Sequence, residues 1–194
     1  MNNDVDPYLI PGTKVLRNRL GISDARRLDR IERRLVADRI VEGAPIGAFD
    51  LAHLRAIHRH LFQDVYDWAG DVRTVEINKG GHQFQFQRYI QTGMHDVHRR
   101  LVESKFLKGL GPDEFARHAG VIIGDVNYIH PFREGNGRAQ AQYLKQLAAQ
   151  AGNDLDLRRI DPVLWIDASK LSHGADYALM ARVIRQAIAG RSKR

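Results

Sequence analysis

The chain has 194 residues and a mass of 22.1 kDa, and its 30 Lys and Arg against 23 Asp and Glu give a formal net charge of +7. This length suits a single domain that is large enough to bury an ordinary core. The absence of cysteine excludes disulfide cross-links and thiolate chemistry. No apolar run approaches the ~18 residues of a membrane span and no leader pattern opens the chain, so we expect a soluble cytoplasmic protein.

Arginine dominates the basic charge and is concentrated in one early stretch. Such a stretch can contact phosphates or an acidic partner, or it can be the solvated face of a helix. No zinc-finger spacing, RNP-like aromatic run or basic-zipper heptad accompanies it, so the solvated face is favoured and nucleic-acid binding stays an alternative function. The arginines concerned are Arg17, Arg19, Arg26, Arg27, Arg30, Arg33, Arg34 and Arg39.

The first third of the chain predicts a lead-in followed by two helices. Pro7, Pro11 and Gly12 predict an extended lead-in over residues 1–22, with a short turn or helix ending near Gly21. Apolar residues at helical spacing predict a first helix from an N-cap at Ser23 or Asp24 to Gly43, and a second helix from about Asp50 to Tyr66.

The pattern then changes to alternation. Residues 73–78 and 82–87 alternate around the turn Lys79-Gly80-Gly81 and predict a β-hairpin, which should lie against the helical body because a lone hairpin is marginally stable. The fold class is therefore all-α with one hairpin. Residues 1–22 and 23–190 should form one domain, and residues 191–194 a disordered tail. Further helices are predicted at roughly 88–104, 112–129, 137–151, 161–172 and 175–189.

The segment that carries chemistry reads His-Pro-Phe-Arg-Glu-Gly-Asn-Gly-Arg over residues 130–138. Pro131 disfavours the right-handed helical region for His130, so the preceding helix should end there and release the imidazole. Gly135 and Gly137 allow backbone N–H groups to approach a ligand closely. Because a new helix begins at this turn, the segment predicts an anion-binding helix N-terminus.

Two charged residues complete this predicted site. Arg138 adds a positive charge in the first turn of the helix, and Glu134 offers a carboxylate of the kind that Mg²⁺ binds together with phosphate oxygens. A base, a phosphate cradle, an arginine and a metal carboxylate are the groups required for phosphoryl or nucleotidyl transfer. Other nucleotide motifs are missing: there is no Walker A sequence, and Gln140 stands where a dinucleotide-binding loop has its third glycine.

Residues 130–138 resemble the signature of Fic-domain proteins, His-x-Phe-x-[Asp/Glu]-Gly-Asn-Gly followed by arginine. The resemblance extends to Asp6-Pro7-Tyr8, Pro11-Gly12 and the stretch 64–70 followed by Arg73, which are similar to the small bacterial Fic toxins. It implies the Fic fold, a helical bundle with a hairpin flap near the active site. It also implies a protein adenylyltransferase that transfers AMP from ATP to a Ser, Thr or Tyr hydroxyl of a target protein.

The resemblance assigns roles residue by residue. His130 would deprotonate the target hydroxyl, for which a neutral imidazole with a pKa near 6.5 is well suited. Glu134 would hold Mg²⁺ against the α- and β-phosphates, and Arg138 would neutralise charge towards the leaving pyrophosphate. The backbone of 135–137, together with the Asn136 side chain, would hold the phosphates. The predicted nucleotide-binding residues are Arg133, Gly135, Asn136, Gly137 and Arg138.

The flap acquires a function from the same resemblance. Family members use it to bind the target backbone as an added strand, which positions a side chain through main-chain hydrogen bonds. The candidate strands are Thr74–Asn78 and Gly81–Phe84. The predicted target-binding residues are Thr74, Val75, Glu76, Ile77, Asn78, Gly81 and His82.

One position departs from the family pattern. Ala141 stands where the family has a second arginine, which contacts the ATP phosphates and pairs with an inhibitory glutamate. This substitution predicts weakened adenylyl transfer, and it leaves altered nucleotide use and an engineered or degenerate toxin as alternatives. The inhibitory pattern [Ser/Thr]-x-x-x-Glu-[Gly/Asn] is also missing. Glu42-Gly43 comes nearest to it, but Asp38 stands at the position that requires serine or threonine. A separate small antitoxin is therefore expected to supply the inhibitory helix, and similar toxins modify subunits of DNA gyrase and topoisomerase IV.

Two enzymatic alternatives stay open at this stage. A Fic-fold enzyme could transfer another phosphate-containing group, such as phosphate or phosphocholine. A histidine-based metalloenzyme is the other, because His95 and His98 share a helical face, although no third ligand or glutamate base is evident near them or near His53, His58 and His60.

Overall fold

The computed structural model describes residues 6–189, and the predicted all-α body with one hairpin is confirmed. The predicted tail at 191–194 lies outside the described residues. Short 3₁₀ turns connect several of the elements. The helices of the described part are α1 Ala25–Glu42, α2 Leu51–Phe62, α3 Ile90–Glu103, α4 Pro112–Ile129, α5 Asn136–Ala151, α6 Pro162–Ser172 and α7 Ala178–Ala187, and the strands are β1 Asn78–Lys79 and β2 His82–Gln83.

Helix boundaries follow local capping chemistry. The Asp24 carboxylate accepts from the Arg27 amide at 2.7 Å, and the Asp50 carboxylate accepts from the His53 amide at 2.8 Å. α2 is shorter than predicted because the chain turns after Phe62, whose carbonyl accepts from the amides of both Val65 and Tyr66. Both residues are buried, so the apolar spacing continued past the end of the helix.

α4 lies at the centre of the molecule and packs against α3, α5, α6 and α7. α1 packs on α2, buries Leu28, Glu32 and Val36, and exposes the predicted arginine-rich face. The described part of the lead-in, from residue 6, forms an antiparallel bridge between Leu9 and Leu16 and packs onto this core. No helix within residues 6–189 combines the length and apolar character needed to cross a membrane.

The flap hairpin is much shorter than predicted. β1 and β2 pair Asn78 with Gln83 and Lys79 with His82, and Gly80 and Gly81 form the turn with φ of 59° and 81°. Beyond these residues the two arms keep one backbone bond, from the Phe84 amide to the Ile77 carbonyl, and the second arm then turns towards α4. The Gln85 amide there donates to the Tyr128 carbonyl at 3.0 Å.

A fully buried arginine joins this flap to the end of α4. Arg73 donates from Nε to the His130 carbonyl at 2.8 Å, from Nη1 to the Val75 carbonyl at 2.7 Å, and from Nη2 to the Gln85 carbonyl. The Glu76 carboxylate lies 3.3 Å from Nη1 and supplies the partner charge. One side chain therefore satisfies carbonyl groups from three separate segments.

We expect Arg73→Met to lower the free energy of unfolding by about 3–5 kcal/mol, because it leaves buried carbonyls without donors and removes a partner from the ion pair. Urea unfolding measures this change. Arg30→Met on the exposed face of α1 is the matched control, with an expected change within about 0.5 kcal/mol. Equal stability of the two variants would contradict the anchoring role of Arg73.

Candidate active site

His130 lies at the exit of α4 and has left the right-handed helical region, as the following Pro131 predicts, but its backbone is left-handed, with φ 48° and ψ 62°, where extended backbone is usual before proline. Its ring stacks on Phe84 with centroids 3.8 Å apart. Nδ1 lies 3.2 Å from the Asn127 carbonyl, which can only accept, so Nδ1 carries the proton. This tautomer leaves Nε2 as the basic nitrogen, in a side chain that borders an open cavity.

The environment of His130 changes one expectation from the sequence. Burial lowers the pKa of His130 from its ordinary 6.5 to about 3, and the neighbouring cations Arg73 and Lys79 act in the same direction. The sequence-based value near 6.5 is therefore wrong for the free protein. The imidazole is neutral across the physiological range, which is the form required of a base.

The N-terminus of α5 provides a bare anion-binding turn. Its N-cap residue is Gly135, and no side chain caps the helix. Among the described residues, the amides of Asn136, Gly137 and Arg138 have no hydrogen-bond acceptor. A Cβ on Gly137 would meet open space, whereas a Cβ on Gly135 would lie 2.4 Å from the Phe62 ring. Gly137 therefore faces the ligand side, and Gly135 is required by packing and by its φ of 82°.

Two cavities meet at this turn and share Gly137, Trp165 and Ile166 in their walls. The first has a volume of about 290 Å³ and lies between the flap and α6, with His130 in its wall. The second has a volume of about 470 Å³ and is bordered by Glu134, Arg138 and Ala141. An elongated ligand can therefore lie in both cavities and cross the free amides of α5.

The charged groups of the second cavity form a network that includes a residue missed by the sequence analysis. Arg138 pairs with Glu32 of α1 at 2.5 Å, lies 3.7 Å from Glu134, and stacks over the Phe62 ring at 4.6 Å. Glu32 is buried and also accepts from the Tyr66 hydroxyl. The sequence did contain a clue to the importance of Glu32, because this charged residue stands between Leu28 and Val36 in the apolar stripe of α1.

Two predicted nucleotide-binding side chains are engaged elsewhere. Arg133 pairs with Asp6 of the lead-in, with Nε 2.8 Å and Nη2 2.7 Å from one carboxylate oxygen, and it borders neither cavity. The buried Asn136 carboxamide accepts from the Phe132 amide at 3.0 Å and donates to the Phe132 carbonyl at 2.7 Å. Both side chains therefore shape the loop and leave phosphate contacts to the backbone.

His58 of α2 contacts the same loop through a hydrogen bond and ring stacking. It accepts from the Gly70 amide at Nδ1, 2.8 Å away, so its Nε2 donates to the Glu134 carbonyl at 2.9 Å. Its ring stacks between Phe62 and Phe132, and burial lowers its pKa to about 3. Across residues 6–189, no three His, Asp or Glu side chains are grouped to hold a metal ion, so the histidine metalloenzyme alternative lacks support.

The flap leaves one edge open beside His130. The Thr74 amide donates to the Tyr8 hydroxyl at 3.1 Å, and the Ile77 carbonyl accepts from the Phe84 amide at 3.1 Å. In the part of the chain that the structure describes, β1 pairs only with β2. The Val75 carbonyl is bonded to Arg73, so within the described residues it is the amides of Val75, Glu76 and Ile77, which donate to no acceptor, that an added strand can use.

Comparisons with known proteins agree with this geometry. The Fic/DOC family profile matches residues 48–148. A probable protein adenylyltransferase, y4lH of Sinorhizobium fredii, is 41% identical over 184 residues, covering 94% of this chain and 96% of that protein. The probable protein adenylyltransferase Fic of Salmonella typhimurium is 37% identical over 185 residues, with coverage of 94% and 92%. The crystal structure of BepC from Bartonella tribocorum with bound AMPPNP has a TM-score of 0.85 and 25% identity, covering 95% of this chain and 97% of that chain.

We expect the ring protons of His130 to show no titration between pH 8 and pH 5 in the free protein, because burial holds the imidazole neutral there. The unfolded chain takes up a proton on this imidazole near pH 6.5, whereas the folded chain does not. The free energy of unfolding should therefore fall as the pH drops below about 6.5. NMR can follow the chemical shift of the His130 ring protons with pH, and their signal is identified as the one that disappears in the His130→Ala variant. A titration midpoint near 6.5 would contradict the buried environment.

Proposed function

The chain belongs to the Fic/DOC family, and on that basis we propose that it is a protein adenylyltransferase that transfers AMP from ATP to a Ser, Thr or Tyr hydroxyl of a target protein. The observation that carries the proposal is the position of His130. The His130 side chain, whose Nε2 is free, borders the same cavity as Gly137. The Gly137 amide has no acceptor among the described residues. A base and an anion cradle therefore share one cavity.

In the proposed reaction, the α-phosphate of ATP binds at the free amides of α5. The target hydroxyl donates its proton to Nε2 of His130 as its oxygen attacks the α-phosphorus. A new oxygen–phosphorus bond forms, and the bond to the leaving pyrophosphate breaks. The anionic nucleotide beside His130 stabilises the imidazolium that results, which offsets the low pKa of the free protein. General-base catalysis of this kind contributes roughly 10²–10⁴ in rate.

The leaving pyrophosphate lies towards the second cavity in this arrangement. Arg138 faces it and is oriented by Glu32 at 2.5 Å and by the Phe62 ring. The Glu134 carboxylate is about half exposed, with 48% of its side chain accessible, and it accepts from the Gly135 amide at 2.9 Å, one residue before the free amides. An accessible carboxylate beside bound phosphates fits Mg²⁺, which supplies charge neutralisation of the phosphate oxygens when it is bound.

The flap suits a protein substrate. We propose that the target adds a strand along residues 74–78 and 81–82, so that main-chain hydrogen bonds place its hydroxyl near His130. The open edge of β1 and the contact of Phe84 with the His130 ring support this role. Recognition through the backbone leaves the side chain of the modified residue free to react.

Regulation by a separate small antitoxin in the cytoplasm belongs to the same proposal. The second cavity extends past Ala141 and is bordered by Leu157, Ile160 and Pro162, so it offers an apolar wall to a helix from a partner. DNA gyrase or topoisomerase IV subunits are the proposed target class, through the resemblance to small Fic toxins. Transfer of another phosphate-containing group is the competing reaction and gives a product of different mass.

We expect His130→Ala to reduce transfer from ATP labelled at the α-phosphate by roughly 10²–10⁴, because the base is lost. The measurement is label incorporation into protein with Mg·ATP and a bacterial lysate, followed by mass spectrometry for an AMP adduct. His118→Ala, an exposed histidine of α4, is the matched control and should keep full activity. Undiminished transfer by His130→Ala would remove the assignment of the base.

We expect Ala141→Arg to raise kcat/KM for ATP, because the added cation enters the cavity beside Arg138 and provides a charge-assisted phosphate contact of about 1.5–3 kcal/mol, or roughly ten- to hundredfold. Ala149→Arg adds the same charge to an exposed position of α5 outside the cavity and should leave the rate unchanged. Equal kinetics of the two variants would show that a second arginine is irrelevant in this chain.

A further inference from the structure

The ring of Phe84 covers one face of the His130 imidazole. The two ring centroids lie 3.8 Å apart, and the ring planes meet at 22°. Phe84 is buried although both strands of the flap tip are exposed, and the next aromatic residue of the same arm, Phe86, is 48% exposed. The second arm of the flap therefore turns one aromatic ring inwards, onto the proposed base itself.

A single hydrogen bond does not fix the orientation of the His130 ring. Within residues 6–189 the ring makes one hydrogen bond, from Nδ1 to the Asn127 carbonyl, and its length of 3.2 Å is at the upper end of the usual range. This bond leaves the imidazole free to turn about the line that joins the two atoms. Stacking against a flat ring removes that freedom, so the direction of Nε2 depends on Phe84.

Phe84 is itself held from three sides. Its amide donates to the Ile77 carbonyl of the first flap arm at 3.1 Å, and the following amide, of Gln85, donates to the Tyr128 carbonyl of α4 at 3.0 Å. Its ring meets the ring of His173, the residue that ends α6, nearly edge-on with centroids 4.9 Å apart. The flap, α4 and α6 therefore fix the position of Phe84, and a fixed ring can orient its neighbour.

We propose that Phe84 is a positioning residue for the transfer reaction, which holds the His130 imidazole in the orientation where Nε2 accepts the proton of the target hydroxyl. The inference rests on the proposed function, since it assumes that His130 is the base. A general base acts only within hydrogen-bond reach of the proton and in the right geometry. Because Phe84 is bonded to Ile77 of the first arm, the flap that binds the target also orients the base.

The orientation of the ring can be tested without any substrate. Long-range ¹H–¹⁵N NMR correlations on the ¹⁵N-labelled protein at pH 7.5 report which imidazole nitrogen carries the proton. Wild type should show a single tautomer of His130, with the proton on Nδ1, and Phe84→Leu should show a mixture of both tautomers. A single, unchanged tautomer in Phe84→Leu would show that the Asn127 carbonyl orients the ring unaided, and would overturn the proposal.

The consequence for the reaction is measured by a double-mutant cycle with the base. With Mg·ATP labelled at the α-phosphate and a fixed amount of bacterial lysate, Phe84→Leu should lower the rate at saturating ATP roughly ten- to hundredfold and leave KM for ATP unchanged. In the His130→Ala background the same substitution should leave the residual rate unchanged. A further fall in that background, or a rise in KM with the saturating rate intact, would show that Phe84 acts on the substrates and would overturn the proposal.

Phe86→Leu is the matched control, because it makes the same change at an exposed ring of the same arm. It should preserve both the tautomer and the rate, and an equal loss in Phe86→Leu would indicate general packing of the flap and overturn the proposal. Phe84→Met replaces Phe84→Leu if the latter does not fold, and the same results are expected of it.

Failure of this proposal differs from failure of the proposed function. A wild-type rate in Phe84→Leu overturns the role of Phe84 and leaves adenylyl transfer intact. Wild-type protein that transfers no AMP to any protein overturns the proposed function. The NMR result still decides in that case whether Phe84 orients the ring, because it requires no substrate.

Discussion

The buried guanidinium of Arg73 donates to the carbonyls of His130, Val75 and Gln85, so one side chain holds the end of α4 and both arms of the flap. Pro131 ends the helix, and Arg73 holds the His130 carbonyl at the point where the chain leaves. The Arg73 amide donates to the Pro131 carbonyl at 2.8 Å and adds a second attachment. The same hydrogen bonds therefore fix the positions of the base and of the flap edge relative to each other, although the two lie far apart in the chain.

Charge is sparse in the second cavity, which affects how phosphates can bind there. Arg138 is the arginine that the signature retains, and it is shared between Glu32 and Glu134. With Ala141 in place of a second arginine, the free amides of α5 must supply more of the binding free energy. The pair of buried Glu32 with the partly exposed Arg138 still has a use, because it fixes the guanidinium in one orientation before any ligand arrives.

The sequence predicted what is set by neighbouring residues and missed what is set by distant ones. The end of α4 at Ile129 follows from the proline two residues later, and the Gly80-Gly81 turn follows from glycine's access to positive φ. The contact of His58 with the Glu134 carbonyl joins residues 76 positions apart. No local pattern encodes such pairs. A buried histidine on an apolar helix face therefore resembled ordinary core, although it supports the signature loop.

Several unsatisfied or strained backbone groups lie at the proposed site. The first three amides of α5 lack partners there, and His130 adopts a left-handed conformation that costs a non-glycine residue about 1 kcal/mol or more. Stability elsewhere must offset these costs, and the fully buried apolar contacts of α4 and α5 provide it. A nucleotide whose phosphate oxygens accept from these amides would satisfy them. The ligand therefore completes hydrogen bonding that the folded chain leaves open, and its binding should stabilise the fold through the same contacts that align it for reaction.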